Sequence, residues 1–458
     1  MKRRTHRQST ATPKRTGRFA KSAAVVAAAA LALAACSPAS KEGEDTETTS
    51  ASQTVVTFRL WDDVAAPAYE ASFAEFTKAN PDIKVKVEVV PWAAYWEQLP
   101  LDISSGQMAD IYWTNSSNFA LYADNGNLMD ITETLGTGHD AWQQSVVDLY
   151  TRNGKLWGVP QLWDSIALFY NKDLVEAAGV DASKLTWAPG AGEADTLLPA
   201  LQKLTVDKDG KNAADPAFNA ANTKVFGFNA QADLQAIYVD FLAQNGATLQ
   251  GEDDQFNFAT PKGEESFQYL VDLINKYKVA PPAAETNING DLSRDLFLRG
   301  ELALFQSGPY SLKTIADNAS VNWGLVPMVA GPEGRIGVVH GVVAVGNAQT
   351  KHRDATVKVL EWLGSAKGQM PLAEQGVSFP GAVEAQEAFI NYWAKKGVDV
   401  SVFIEAASGI TAPAPRGPAV NAGANAYTTI LLDVFLGSVT VKEGLAKAQT
   451  AGNEAMKQ

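Results

Sequence analysis

The sequence predicts an α/β fold in two lobes, each built on a mainly parallel β-sheet flanked by helices. The chain has 458 residues, of which 46% are hydrophobic. This length is enough for a large hydrophobic core and exceeds that of one typical domain. Charged residues make up 19% and aromatic residues 9%, which is a globular composition. Strand and helix patterns alternate after residue 54 and again after residue 224, as expected for parallel sheets.

The first alternation lies between residues 55 and 113. β-Branched residues or an apolar-polar alternation indicate the strands, and the first helix stops before Asn80-Pro81. The predicted order is strand 55–60, helix 68–78, strand 83–90, helix 95–104 and strand 110–113.

The second alternation follows a predicted hairpin at residues 154–160. Apolar runs indicate its strands, and longer amphipathic stretches indicate its helices. The predicted strands are 166–170, 224–229, 301–305 and 338–345; the predicted helices are 172–179, 234–244, 263–278, 291–299, 352–365, 368–375, 421–436 and 441–455.

The first 35 residues have the pattern of a signal peptide. Residues 1–21 hold eight basic residues and no acid, and an apolar run of about 13 residues follows, too short to span a bilayer. Leu33-Ala34-Ala35-Cys36 resembles a bacterial lipobox, which implies diacylation of Cys36 and a stable membrane anchor. The alternative is a free buried cysteine after an ordinary signal. Residues 36–53 are predicted to be a flexible polar tether.

Removal of the leader makes the chain strongly acidic. The mature chain keeps 30 of its 38 basic residues and all 51 acidic residues, so its net charge is −21. This charge argues against nucleic-acid binding, and it leaves the lipid as the only contact with the membrane. Cys36 is the only cysteine, so an intramolecular disulfide is impossible.

Several polar and aromatic residues follow the predicted strands. Open α/β sheets bind ligands at the carboxyl ends of their strands, so these residues are candidates for a ligand site. A single tryptophan at such a position is more typical of packing, but three at one edge of a sheet indicate a site. The candidates at this edge are Asp62, Asp63, Trp92, Trp113 and Asn115.

Three stretches resemble family 1 extracellular solute-binding proteins, the maltose-binding-protein-like sugar receptors of bacterial importers. They are Phe73 with Asn80-Pro81-Asp82-Ile83, Ser105-Gly106 with Asp110-Ile111, and Gly158-Val159-Pro160 with Tyr170-Asn171-Lys172-Asp173. The resemblance covers nearly all of residues 54–458. Two departures are Ala109, where the family usually has proline, and Tyr310, where it usually has tryptophan after Gly-Pro.

The resemblance implies a type II periplasmic-binding-protein-like fold. The expected first lobe comprises residues 54–163 and about 330–376, and the second comprises 164–329 and about 377–458. The chain is expected to cross between lobes near 158–168, 329–338 and 376–379. The implied function is that of a monomeric, extracytoplasmic receptor, anchored at Cys36. It captures a mono- to oligosaccharide by hinge closure and delivers it to the permease subunits of an ABC transporter, with no cofactor and no metal.

The resemblance also implies roles for individual residues. Carboxylates and amides bind sugar hydroxyls, and aromatic planes cover the apolar C–H face of the ring. The expected hydroxyl ligands are Asp62, Asp63, Asn115, Asp164, His340 and, with less support, Gln231, Asp233 and Arg416; the expected apolar surfaces are Trp92, Trp113 and Tyr310.

Each of these residues also has a structural interpretation. Asp62 and Asp63 could cap the next helix, Asp164 could pair with a base, and Tyr310 and His340 could be packing groups. Leu234 stands where many relatives have an aromatic residue, which weakens the prediction of an extended oligosaccharide platform.

Other functions have less support in the residues. After Cys36 the chain has three widely separated histidines, and it has neither a nucleophile elbow nor a phosphate loop. A glycoside hydrolase with Asp62 and Asp164 as paired carboxylates is a remote alternative. The nearer alternative keeps the fold and binds a glycerophosphodiester or peptide, but the acidic and aromatic candidate loops favour a neutral sugar.

Overall fold

The computed structural model describes residues 53–457, which fold into two lobes around two sheets. The predicted signal peptide, the lipidation site at Cys36 and almost all of the tether lie outside these residues. Within residues 53–457, no helix is long and apolar enough to cross a membrane.

The strands of the described chain are mostly short, and two of the sheets are two-stranded ribbons. In chain order the strands are β1 Thr54–Leu60, β2 Ile83–Val89, β3 Ile111–Thr114, β4 Thr151–Arg152, β5 Lys155–Leu156, β6 Val159–Asp164, β7 Ala167–Asn171, β8 Val206–Asp207, β9 Thr223–Phe228, β10 Leu302–Ser307, β11 Trp323–Pro327, β12 Gly337–Val338, β13 His340–Gly346, β14 Phe379–Pro380 and β15 Thr411–Ala412.

The helices cover the sheets and carry their own start signals, such as Thr260 before Pro261 and Thr440 three residues before Glu443. They are α1 Ala66–Ala79, α2 Trp92–Ser105, α3 Ser116–Asp124, α4 Ile131–Leu135, α5 Gln144–Leu149, α6 Lys172–Ala177, α7 Leu197–Leu204, α8 Val239–Gln244, α9 Pro261–Asn275, α10 Ala283–Thr286, α11 Leu292–Leu298, α12 Leu312–Asn318, α13 Arg353–Gly364, α14 Ala366–Glu374, α15 Val383–Lys395, α16 Ser401–Ser408, α17 Val420–Leu436 and α18 Val441–Ala455. A π-helical turn, Leu234–Tyr238, leads directly into α8.

The first lobe contains a six-stranded sheet in the order β14-β6-β13-β3-β1-β2. β1 pairs in parallel with β2 and β3, whereas β13 is antiparallel to β3 and β6, and β14 is antiparallel to β6. The alternate residues Val56, Phe58 and Leu60 of β1 are fully buried, which explains why this segment forms a strand with one face in the core.

The second lobe contains a five-stranded sheet in the order β11-β7-β10-β9-β8. Only β9 and β10 are parallel; β7 is antiparallel to β10 and β11, and β8 is antiparallel to β9. The fold class is therefore α/β in two lobes as predicted, but both sheets are mixed. The expected parallel pairing is limited to β1 with β2 and β3, and to β9 with β10, because the strands next to the lobe crossings run in the opposite direction.

The strand directions place the strand ends of one sheet opposite the strand ends of the other, and the side of a sheet formed by such strand ends is called its edge here. In the first lobe, the carboxyl ends of β1, β2, β3 and β6 share an edge with the amino end of β13. In the second lobe, the carboxyl ends of β9 and β10 share an edge with the amino end of β7. Because only Ser165 and Ile166 separate β6 from β7, these two edges face each other and define the cleft.

A row of aromatic rings joins the lobes behind this cleft. Trp163 stacks on Phe379 at 4.5 Å between ring centroids, Phe379 lies 6.4 Å from Phe403, and Phe403 lies 6.3 Å from Phe169 of the second sheet. The Ser165 hydroxyl donates to the carbonyl of Phe403 at 2.6 Å. The crossing is thus held by packing as well as by the chain itself.

Three segments cross between the lobes. The first is residues 165–166, and the second connects β11 to β13 through β12, which pairs in parallel with β15. The predicted third crossing near 376–379 is wrong, because β14 pairs with β6 in the first sheet and α15 packs against α14. The chain leaves the first lobe only after Lys395 and reaches the second through α16 and β15.

Candidate functional site

Four tryptophans pack together at the cleft edge of the first sheet. Trp61, which follows β1, lies 4.9–5.3 Å from Trp92, Trp96 and Trp113, measured between ring centroids. Trp113 is only 1% exposed, so it supports the edge from beneath and is not a contact surface. Trp92 is 53% exposed and is the member of the cluster that a ligand can reach.

The carboxylates after β1 have different surroundings. Asp62 Oδ1 accepts hydrogen bonds from the backbone N–H groups of Val64 at 2.8 Å and Ala65 at 3.4 Å, so it caps the turn before α1. Burial raises the pKa of Asp62, and the charge of Asp63 adds to this effect. Asp63 itself is exposed. The N-cap residue of α1 is Ala65, so Asp62 stabilises the preceding turn and does not cap the helix itself. Among residues 53–457, no hydrogen bond is made by its second oxygen.

Asn115 lies at the carboxyl end of β3, in the N-cap position of α3. Its Oδ1 accepts a hydrogen bond from Nδ2 of Asn118 at 2.7 Å, within the first turn of the helix. The side chain is partly exposed. This arrangement orients the amide group of Asn115 and leaves its nitrogen as the group available to a ligand.

Asp164 and His340 lie opposite each other at the cleft edge of the first sheet, in the antiparallel pair β6–β13. Burial raises the pKa of Asp164 to about 7. Burial also lowers the pKa of His340 to about 4, so its imidazole is neutral at neutral pH. Nε2 of His340 is buried and makes no hydrogen bond to residues 53–457. This pair offers a carboxyl group and an unused ring nitrogen side by side.

The hydrogen-bond partner of Asp164 is a glutamine and not a base. Nε2 of Gln235, in the π-turn of the second lobe, donates to Oδ1 of Asp164. Asp233 caps this turn, because its Oδ1 accepts from the backbone N–H of Ala236 at 2.8 Å. Burial raises the pKa of Asp233 as well.

Tyr310 presents an aromatic ring on the second-lobe side. Tyr310 is 43% exposed as a whole residue. Desolvation of its hydroxyl group, and then the charges of Asp233 and Asp164, raise its pKa. The ring folds back over Gly308, where an added Cβ would lie 2.2 Å from Cε1 of Tyr310. Glycine at position 308 therefore permits the position of the ring.

Two predicted ligands are engaged within the second lobe. Gln231 is 7% exposed; its Nε2 donates to the Gly290 carbonyl at 3.0 Å, and its Oε1 accepts from Ser293 at 2.5 Å. Arg416 donates through Nε to Asp254 at 2.5 Å. The structure does not bring either side chain to the Asp164 centre.

The cleft centre is acidic and lacks a nearby base. Among residues 53–457, no basic side chain is close enough to Asp62, Asp164 or Asp233 to lower its pKa. The same part of the chain contains no cluster of three or more histidine, cysteine or acidic side chains suited to a metal ion. A cavity of about 590 Å³ lies elsewhere on the second lobe, against α9 and α18, and none of the predicted site residues lines it.

Comparison with known proteins places the chain in a family. The family model described as bacterial extracellular solute-binding protein matches residues 62–370. The chain belongs to this family. The crystal structure of M. tuberculosis UspC is 44% identical in sequence to this solute-binding protein, with a TM-score of 0.72, and the match covers 88% of this chain and 100% of UspC.

Two further matches extend over most of the solute-binding protein. The maltooligosaccharide ABC transporter solute-binding lipoprotein of Streptococcus pneumoniae is 24% identical over 451 residues, which is 97% of this chain and 99% of the relative. The substrate-binding protein Lmo0181 of Listeria monocytogenes, solved with cycloalternan, has a TM-score of 0.75 at 20% identity and covers 88% of this chain and 99% of its own. At this identity, the Listeria structure supports the fold alone.

The structure adds two residues of this solute-binding protein that sequence reasoning did not select. Gln235 was missed because a regular helix was expected over 234–244, and only the π-turn directs this side chain to Asp164. Trp61 is not among the candidates selected from the sequence, although it forms the centre of the tryptophan cluster. The signal for Trp61 is its position directly after β1, whereas Gln235 lies seven residues after β9 and carries no such signal.

Proposed function

We propose that this solute-binding protein is a lipid-anchored receptor on the extracytoplasmic face of the cell membrane, which captures a carbohydrate and delivers it to an ABC-type importer. Binding takes place in the cleft and biases the hinge towards a closed form. The protein acts as a monomer, needs no cofactor, and binds its ligand without turnover. Diacylation of Cys36 supplies the membrane anchor, and residues 36–53 supply the tether.

The observation that carries this proposal is the composition of the cleft centre. The exposed ring of Tyr310 follows β10 in the second lobe, as Asp233 follows β9, and the neutral imidazole of His340 lies beside Asp164. Carboxyl and imidazole groups bind hydroxyls, and the ring covers an apolar C–H face. A sugar ring presents both kinds of surface on one small ring, whereas a simple anion does not.

The positions of these groups also support hinge closure. Asp164 and His340 belong to the first sheet, and Asp233 and Tyr310 follow strands of the second sheet. A ligand that contacts both sets makes its full contacts only when the lobes are close together. Such a ligand binds the closed form more tightly and therefore shifts the population towards it.

The relatives agree with this substrate class. The Streptococcus pneumoniae relative is named as a maltooligosaccharide-binding lipoprotein of an ABC transporter, and an arabinooligosaccharide-binding protein of Bacillus subtilis is 24% identical over 258 residues. A Thermotoga lettingae solute-binding protein was solved with α-D-tagatose, so the fold also accepts a monosaccharide. These names favour a carbohydrate and leave its length open.

A phosphodiester ligand is less compatible with the cleft. Phosphate oxygens require cationic or N–H donors, and the groups around Tyr310 are carboxyls that an anion would meet without a nearby base. Arg416 is the one cation among the predicted ligands, and its guanidinium is engaged with Asp254 and the Gly251 carbonyl. The sugar proposal therefore has the stronger support.

A thermal-shift screen of the mature chain tests the proposal. Mono-, di- and oligosaccharides are compared with glycerophosphodiesters and peptides. A ligand present at 100 times its dissociation constant should stabilise the native state by about 2.7 kcal/mol. A shift with one class of sugar, lost in Asp164→Ala and Tyr310→Ala, supports the receptor and its site. A shift with a phosphodiester or peptide and with no sugar contradicts the substrate class.

A further inference from the structure

A side-chain hydrogen bond joins the two lobes at the cleft. Gln235 belongs to the second lobe, seven residues after the end of β9, and Asp164 is the last residue of β6 in the first lobe. Nε2 of Gln235 donates to Oδ1 of Asp164. Both side chains are partly exposed, so the bond borders the cleft and is accessible to a ligand.

The backbone around Gln235 is held firmly on both sides. Asp233 accepts the N–H of Ala236 through its side chain at 2.8 Å and the N–H of Tyr238 through its carbonyl at 2.9 Å. The carbonyl of Ala236 in turn accepts a hydrogen bond from Nε2 of Gln306 at 2.7 Å. π-Helical turns are uncommon and frequently occur at functional sites. Here the turn fixes the direction in which Gln235 leaves the second lobe.

The bond uses only one of the two polar atoms of each side chain. Asp164 contributes Oδ1 and Gln235 contributes its amide nitrogen, which leaves Oδ2 of Asp164 and Oε1 of Gln235 as acceptors. These two oxygens come from opposite lobes and are connected through a single hydrogen bond. A ligand with two hydroxyl groups on neighbouring atoms can donate one hydrogen bond to each side chain.

We propose that Gln235 is a specificity-determining residue that forms a clasp with Asp164: the clasp holds the lobes together without ligand, and two adjacent hydroxyl groups of a sugar bind it as a unit, one on each free oxygen. This inference rests on the proposed function and deepens it, because it restricts the ligands to sugars with a vicinal diol on the face that meets Asp164 and Gln235. A ligand that bridges the pair contacts both lobes at once and so stabilises the closed form.

Small-angle X-ray scattering of the unliganded mature chain tests the clasp without any sugar. Gln235→Ala removes the bond and should increase the radius of gyration, because the lobes separate more often. Gln268→Ala is the matched control, since Gln268 is an exposed glutamine of α9 whose side chain donates to Asp272 one turn away within the same lobe. Equal radii for wild type, Gln235→Ala and Gln268→Ala overturn the clasp.

Gln235→Glu should make the separation of the lobes depend on pH, which a residue with only a structural role would not do. Two facing carboxyl groups repel each other when both are ionised and share a proton when one is protonated. The variant should therefore be open at pH 8 and close again at pH 5, whereas Gln235→Ala should stay open at both. A variant that is closed at pH 8 contradicts the contact between residues 235 and 164.

The other titratable groups around Asp164 do not produce this pattern. His340, Tyr150, Tyr310 and Asp233 face it from β13, the end of α5, the end of β10 and the π-turn. Burial keeps His340 neutral above pH 5 and raises the pKa values of both tyrosines. Asp233 titrates in all variants alike, so the difference between Gln235→Glu and Gln235→Ala isolates position 235.

Binding measurements test the ligand half of the proposal. Gln235→Ala should weaken binding of the sugar found in the screen roughly two- to tenfold, the range for a hydrogen bond between neutral groups. A deoxy analogue lacking the hydroxyl that binds Gln235 should lose most of this difference between wild type and Gln235→Ala, whereas an analogue lacking the hydroxyl that binds Asp164 should keep it. Unchanged sugar affinity in Gln235→Ala overturns this half. If wild type binds no sugar at all, the proposed function fails instead, and the scattering still decides whether the clasp exists.

Discussion

His340 and Asp164 occupy opposite positions in one antiparallel strand pair, and burial moves the pKa values of the two side chains in opposite directions. The carboxyl group is raised to about 7 and the imidazole is lowered to about 4. In both cases the buried position favours the uncharged form. The cleft centre is thus closer to neutral at pH 7 than its residue types indicate, which suits an uncharged ligand.

Replacement of Asp164 tests the raised pKa. Its pKa in the folded state lies above the value of 3.8 in the unfolded chain. The contribution of Asp164 to the free energy of unfolding is therefore complete below pH 3.8 and is lost as the pH rises through 7. Relative to Asp164→Asn, wild type should lose stability over this interval, by at most about 1.4 kcal/mol per pH unit. Thermal unfolding of both proteins between pH 4 and 8 measures the difference. Asp63→Asn controls for the loss of one negative charge, and parallel curves for wild type and Asp164→Asn would contradict the prediction.

Replacement of His340 should have the opposite pH dependence. Its folded pKa of about 4 lies below the unfolded value of 6.5, so its contribution to stability is complete above pH 6.5 and is lost as the pH falls towards 4. His340→Gln should lack this acid sensitivity. Unfolding curves at pH 7, 5.5 and 4 test this, with His352→Gln at the exposed His352 as the control for loss of an imidazole. Equal acid sensitivity in His340→Gln and wild type is the contrary result.

Substitutions of Tyr310 test the stacking surface. Tyr310→Ala removes the ring and should weaken sugar binding about tenfold or more, whereas Tyr310→Trp keeps an aromatic plane and should retain binding. Calorimetric titration with the sugar found in the screen gives both affinities. Tyr277→Ala is the control, because Tyr277 lies on the 590 Å³ cavity beside Lys276. Wild-type affinity in Tyr310→Ala would show that the ring of Tyr310 is not part of the ligand site.

The glycine before Pro309 should control the same ring indirectly. In Gly308→Ala the new methyl group would meet Cε1 of Tyr310 at 2.2 Å, so the ring must move away from the backbone. Because a side chain gives way more easily than backbone, the protein should fold and bind sugar more weakly. Gly138→Ala is a suitable control, since a Cβ at Gly138 has open space around it. Wild-type affinity in a folded Gly308→Ala protein would show that the position of the ring is unimportant.

Much of the fold is readable in the sequence where local signals are strong. The alternation in β1 and the capping residues of α18 define elements that the structure places within one residue of the prediction. β11 was not predicted, because all five of its residues are only partly buried and carry no alternation. The position of β14 in the first sheet was also missed, since Phe379 and Pro380 form a strand only by pairing with β6.

The candidate site was predictable in its location more than in its contacts. Asp164, His340, Asp233 and Tyr310 all lie at strand ends on the two facing edges, as the topology requires. Burial of Trp113 beneath Trp61 and the engagement of Arg416 with Asp254 depend on packing between distant segments. No local pattern in one sequence encodes such contacts.

The most direct test of the central claim is a crystal structure of the mature chain with the sugar that the screen identifies. The account predicts a sugar ring stacked on Tyr310, with two neighbouring hydroxyls donating to Asp164 and Gln235 between closely apposed lobes. A sugar bound away from these three residues, or bound to one lobe only, would contradict it.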